Sequence, residues 1–146
     1  MVNDRNLTMM TDLYQLTMMH GYYLNDMHEE AVFDLFFRKP SGNSAYAVMA
    51  GLDQAIEYIT NLSFEQDDIE YLRSLGLFTE DFLTYLTTFR FTGDMFAVPE
   101  GTPVFPGEPL VRIKAPLMQA QLVETALLTI INHQTLIATK ASRVCM

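Results

Sequence analysis

The stretch LTMMTDLYQLTMMHGYY, residues 7 to 23, places Thr11, Asp12, Leu13 and Tyr14 in succession at the start of a helical pattern. Thr11 or Asp12 is suited to cap that helix, because a side-chain oxygen there accepts a hydrogen bond from the unpaired N–H groups of the first turn. Tyr14 then presents an aromatic face beside those N–H groups, a setting that suits a planar anion as well as it suits a ring filling a core. A second candidate is Arg38 in AVFDLFFRKP, which strand alternation sets opposite Phe33, Leu35 and Phe37. Its guanidinium fork matches phosphate oxygens, although an exposed arginine at a strand edge needs no ligand.

Other groups with chemical potential carry less. His20, His28 and His133 are too far apart in sequence to form a local metal motif, and no H-E-x-x-H pair occurs. The carboxylates of EQDD and TED fall in first turns of helices, where they complement the helix dipole. SGNSAYAVMAG lacks the Lys-Ser/Thr ending of a phosphate-binding P-loop. Cys145 is the one cysteine, which excludes an internal disulfide and a cysteine-based metal cluster and fits a reducing cytoplasm.

The elements that must position these residues are legible in outline. After the first helix, period-two alternation gives a strand through AVFDLFFR, stopped by Pro40; PSGNS is turn chemistry, and AYAVMAG is expected to fold back on it as a hairpin. Three helices follow. The first carries an apolar stripe of Leu52, Ala55, Ile56, Ile59 and Leu62. The second starts at Ser63 and Gln66, which have capping-box spacing, and stops at Gly76. The third is capped by Thr79 and buries Phe82, Tyr85, Leu86 and Phe89. From Gly93 to Pro116, five of the six prolines punctuate short edge-like strands such as 94–98 and 109–114 in a small antiparallel module. LMQAQLVE is compatible with strand or helix, and TALLTIINHQTLIATKASRVCM reads as a long apolar helix.

The fold class is therefore α+β, with an N-terminal domain over 1–122 and the opening of a second domain over 123–146. Ending inside an apolar helix, the chain reads as the N-terminal portion of a larger protein. Its 146 residues are 49% apolar and 18% charged, enough for one core. A net charge of −9, with nine Lys and Arg scattered along the chain, argues against a nucleic-acid partner but leaves room for a small anion at a local cation. No basic-then-apolar leader opens the sequence and no run of membrane-spanning length occurs, so neither secretion nor a membrane partner is expected.

Four segments in order, TMMTDLYQLTMMHGYY, AVFDLFFRKP, VPEGTPVFPGEPLVRIKAP and VETALLTIINHQTLIATKASR, resemble the N-terminal third of nicotinate phosphoribosyltransferases from Thr8 onward. The resemblance implies a type II phosphoribosyltransferase that joins nicotinate to 5-phosphoribosyl pyrophosphate in NAD salvage. It further implies ATP hydrolysis coupled through a phosphorylated histidine, magnesium, an irregular α/β barrel entered by the last helix, a homodimer and a cytoplasmic location. By motif, Tyr14 packs on the pyridine ring, often in the neighbouring subunit's site; Asp12 sits at the edge of that site, and Arg38 lies near the phosphates.

The same resemblance assigns the phosphorylated histidine, the arginines that grip the nicotinate carboxylate and the glycine-rich phosphate loops to later parts of the full-length chain. No catalytic residue and no metal ligand is transferred to these residues, and none of the three histidines matches the phosphohistidine context. A fragment inactive alone is the expectation. A stand-alone binding module of the same fold, or a piece of a nicotinamide or quinolinate relative, are the alternatives.

Overall fold

The computed structural model describes residues 6–38 and 46–145. Among the described residues six helices and five short strands follow one another in this order: α1 (Leu13–Leu24), β1 (Glu30–Leu35), β2 (Ala47–Val48), α2 (Leu52–Thr60), α3 (Gln66–Ser74), α4 (Glu80–Thr87), β3 (Asp94–Ala97), β4 (Pro103–Val104), β5 (Val111–Pro116), α5 (Leu117–Leu122) and α6 (Glu124–Val144). The α+β class stands, and residues 93–116 form short antiparallel strands as their prolines require.

The hairpin expected between β1 and the 46–51 segment does not form. β5 instead lies between β1 and β3 in an antiparallel sheet ordered β1-β5-β3, and β2 pairs with β4. β5 can take the centre because it alternates strictly, with Val111, Ile113 and Ala115 buried and Arg112 and Lys114 exposed. It offers β1 a six-residue register from Glu30 opposite Pro116 to Leu35 opposite Val111. β2 supplies only two paired residues, opposite Val104 and Pro103, and is fastened to α6 by the Thr139 hydroxyl, which accepts the Val48 N–H at 2.9 Å. The stop at Pro40 and the turn at 40–44 lie outside the described residues.

As an edge strand, β1 buries its apolar face incompletely. Leu35 and Phe37 pack against the core, whereas Phe33 remains 46% exposed. At Gly93 the chain enters β3 so close to β5 that a Cβ there would lie 2.3 Å from the Ala115 Cβ and 2.6 Å from the Lys114 carbonyl oxygen.

The helices keep their expected order with shifted details. In α2, Tyr58 joins Ala55 and Ile59 inside, and Ile56 faces out. The capping box of α3 falls at Glu65 and Asp68, with Asp68 Oδ2 accepting the Glu65 N–H at 2.9 Å. Ser63 is committed elsewhere, because its N–H donates to the Thr8 hydroxyl at 3.0 Å and its carbonyl accepts from that hydroxyl at 2.8 Å. Gly76 follows α3 in the left-handed region, φ +66°, as a C-terminal stop demands.

Thr79 occupies the N-cap position of α4 but its hydroxyl makes no cap, lying instead 3.1 Å from His20 Nε2; Phe82, Leu83 and Leu86 of α4 are fully buried, with Phe89 nearly so. Phe82 ties α4 to α1 through rings of His20 at 4.8 Å and Tyr23 at 5.5 Å between centroids. Residues 117–122 settle as a helix whose side chains from Met118 to Leu122 are buried. After Val123, α6 contributes Ala126, Leu127, Ile130 and Ile131 to the same core. Among the described residues no helix is long and apolar enough to cross a membrane.

Candidate functional site

The buried stripe of α1 is Gln15, Leu16 and Met19. That rotation turns Leu13 and Tyr14 outward, each about half exposed, at 49% and 51%. Asp12 is the N-cap, and Gln15 reaches back to accept the Asp12 N–H at 3.2 Å, which completes a capping box.

Gln15 is wholly buried, and its amide is satisfied from several sides. Its Nε2 donates to the Gln121 carbonyl oxygen and to Glu124 Oε2, both at 3.2 Å, while the Thr11 hydroxyl donates to its Oε1. The Thr125 hydroxyl stands 2.9 Å from Gln15 Oε1 and 2.9 Å from Asp12 Oδ2, so its single proton is shared between those acceptors. The first turn of α1 is thereby bolted to the α5–α6 junction, and Tyr14 stands on a fixed base.

Glu124 opens α6 beside the Tyr14 phenol. Partial withdrawal from water, then the negative charges of Glu124 and Asp12 and hydrogen bonding to Glu124, raise the phenol's pKa above its ordinary value. Tyr14 is therefore a neutral donor throughout the physiological range.

Glu124 also borders a groove of about 260 Å³ that runs between the β1–β5 pair and helices α5 and α6. Its walls are apolar, with Phe33, Leu35, Val111, Ile113, Leu127 and Leu128 among them, and Arg38 lies in the same lining. Asp34 is held across the strands by Arg112, with Nε to Oδ1 at 2.7 Å and Nη2 to Oδ2 at 2.8 Å. Hydrogen bonding to that guanidinium keeps the Asp34 carboxyl below the usual range. Among the described residues no carboxylate is paired with Arg38.

Of the three residues singled out in sequence, Asp12 and Tyr14 stand together on α1. Arg38 lies apart from them, past the end of β1, and Glu124 touches both neighbourhoods. Glu124 was not among the sequence candidates, since a carboxylate opening a helix reads as a dipole partner. Among the described residues no three of His, Cys, Asp and Glu gather to hold a metal ion.

A family model for the N-terminal domain of nicotinate phosphoribosyltransferase matches residues 9–132. The chain belongs to the nicotinate phosphoribosyltransferase family. Among its relatives, a nicotinate phosphoribosyltransferase of Bacillus subtilis is 49% identical over 142 residues, 97% of this chain and 29% of the relative. One of Mycobacterium tuberculosis is 46% identical over 134 residues, 92% of this chain and 29% of the relative.

The crystal structure of human nicotinic acid phosphoribosyltransferase superposes with a TM-score of 0.84 at 34% identity, covering 91% of this chain and 27% of that one. The chain thus spans about 29% of the length of the bacterial family members it matches. The Gln15 bolt and the β1-β5-β3 sheet lie within the matched segment.

Proposed function

We propose that these residues form the N-terminal part of an enzyme that joins nicotinate to 5-phosphoribosyl pyrophosphate, releasing pyrophosphate and yielding nicotinate mononucleotide for NAD synthesis. The observation that carries this reading is the half-exposed Tyr14 ring on a helix turn immobilised by the buried Gln15. A fixed aromatic face gives a flat heteroaromatic acid an oriented contact at small entropic cost. Tyr14 accordingly packs on the pyridine ring, with Asp12 at the edge of the same site.

Arg38 binds phosphate oxygens, for which its charged fork is suited. Neither role completes a catalytic apparatus, so the described residues bind and orient while the bond-making groups belong to other parts of the enzyme. ATP hydrolysis, with magnesium, supplies the driving force when those groups are bound, and their ligands are to be sought outside residues 6–38 and 46–145. In this reading the enzyme is a cytoplasmic homodimer, and residues 123–146 lead into its barrel.

Steady-state kinetics of the full-length enzyme test the assignment. Tyr14→Ala should raise the KM for nicotinate about tenfold, the upper end expected for a stacking contact, with Tyr14→Phe losing much less. Arg38→Ala should instead raise the KM for 5-phosphoribosyl pyrophosphate. Equal losses toward both substrates in both variants would overturn the reading. So would a Tyr14→Ala enzyme that melts many degrees lower with unaltered nicotinate kinetics.

A further inference from the structure

Among the described residues β1 has a strand on one side only, since the sheet runs β1-β5-β3. The Glu29 carbonyl accepts the Leu117 N–H at 2.9 Å and the Leu35 carbonyl accepts the Leu110 N–H at 2.7 Å, so the odd-numbered residues of β1 bond toward β5. Alternation then turns the N–H and C=O groups of Val32 and Asp34 to the opposite side. A bare edge of this kind is a template for one more strand.

The groove of about 260 Å³ opens beside the same strand, between β1 and helices α5 and α6. Phe33 from β1 and Leu128 from α6 line it while still 46% and 42% exposed, so apolar surface is left uncovered on both walls. Gln121, in the same lining, is only 6% exposed, and its buried Oε1 has no hydrogen-bond partner. An unpaired buried acceptor is costly, and a donor arriving in the groove removes that cost. Edge, apolar walls and orphan acceptor suit one occupant: an extended chain with alternate, mostly apolar side chains directed inward.

We propose that an extended segment of the same enzyme, from the part that follows residue 146, adds as a strand along Glu30–Leu35 and fills the groove with its inward side chains. This rests on reading these residues as the N-terminal part of a larger enzyme, and it says where a later part docks. The chain spans about 29% of the length of its bacterial relatives, so most of such a polypeptide is available for the role. A segment joined covalently to α6, which itself lines the groove, is present at an effective concentration that a second molecule does not match. Main-chain bonds to Val32 and Asp34 give the added strand its affinity, and the groove selects its apolar residues. Arg38 lies past the end of β1 and stays clear for its anion.

The test uses the full-length enzyme. Without any substrate, backbone hydrogen exchange at Val32 and Asp34 should be at least about a hundredfold slower than in an unstructured peptide. A photo-crosslinking residue in place of Leu128 or Phe33 should, on irradiation, join the chain to itself at the mass of one polypeptide, with the linked peptide mapping beyond residue 146. The same residue in place of Leu77, which is exposed and outside the groove lining, should give no such link.

Fast exchange at Val32 and Asp34, or no link beyond residue 146 from either groove position, would overturn the docking. So would a product of twice the mass, which seats a second copy on β1, and exchange that slows only when 5-phosphoribosyl pyrophosphate is added, which makes the groove a ligand site. Each of these outcomes is compatible with an active enzyme. A full-length protein that forms no nicotinate mononucleotide would instead remove the reading on which the docking rests.

Discussion

Arg112 grips Asp34 with both ends of its guanidinium fork, Nε 2.7 Å from one carboxylate oxygen and Nη2 2.8 Å from the other, across strands whose residues stand directly opposite. The pair does more than join β1 to β5. It occupies the carboxylate four residues before Arg38, which leaves the Arg38 charge available to an anion at the groove.

This grip makes a pH prediction whose sign follows from the Asp34 shift. Hydrogen bonding to Arg112 lowers the folded-state pKa of Asp34, so its contribution to stability is present above the unfolded carboxylate value of about 3.9 and is lost as pH falls through the lower folded value. The denaturation midpoint of the parent should exceed that of Asp34→Asn at neutral pH, and the gap should close in the acid range below about pH 4. Because both side chains face solvent, the gap should be small and should shrink with added salt. A gap that persists unchanged at pH 2 would assign it to something other than the ion pair.

The β1–β5 pairing was the part of the fold least visible in sequence. Asp34 and Arg112 are 78 residues apart, and the alternation of β1 says which residues share a face without saying which strand lies beside it. The nearby 46–51 segment was the obvious local partner, yet β5 won with a longer alternating run. Helices α2, α3, α4 and α6 were legible because a 3.6-residue stripe and its stops are local properties. Even there, the cap of α3 moved from Ser63 to Glu65, because Thr8 had engaged Ser63.

The site shows the same division. The chemistry of Tyr14 and Arg38 could be read from residue type and element, but the base beneath Tyr14 could not. A glutamine in a helix reads as a solvent-facing residue. Gln15 is buried because its partners arrive from 106 and 109 residues away, and Glu124 gains its place for the same reason.

Gln15 should consequently be one of the more sensitive polar positions. Gln15→Ala strands the Gln121 carbonyl and removes the acceptor shared by the Asp12 N–H and the Thr11 and Thr125 hydroxyls. Leaving buried partners unsatisfied costs about 1–3 kcal/mol, to be measured as a drop in unfolding free energy by denaturant titration. The nicotinate KM of the full-length variant should also rise, since Tyr14 and Glu124 lose their common anchor. Parent-like stability in Gln15→Ala would mean that the bolt between α1 and the α5–α6 junction carries no weight.

Gly93→Ala tests the other side of the scaffold. A Cβ at this position would sit 2.3 Å from the Ala115 Cβ and 2.9 Å from its Cα, inside any real carbon–carbon contact. These neighbours are backbone and a methyl, with no flexible side-chain end to swing aside, so β3 must move away from β5. Overpacking of this kind costs about 1–3 kcal/mol. The lesion is confined to the β3 side of the sheet, whereas Tyr14, Glu124 and Arg38 lie on the α1, α6 and β1 side. Gly93→Ala should therefore lower the denaturation midpoint while the KM values for both substrates stay near the parent's at temperatures where the protein is folded. Gly76→Ala is the matched comparison, because no atom lies within 4 Å of the added methyl and only the left-handed backbone, φ +66°, is strained. If Gly93→Ala proves no more destabilising than Gly76→Ala, the close approach of β3 to β5 is not what requires glycine at residue 93.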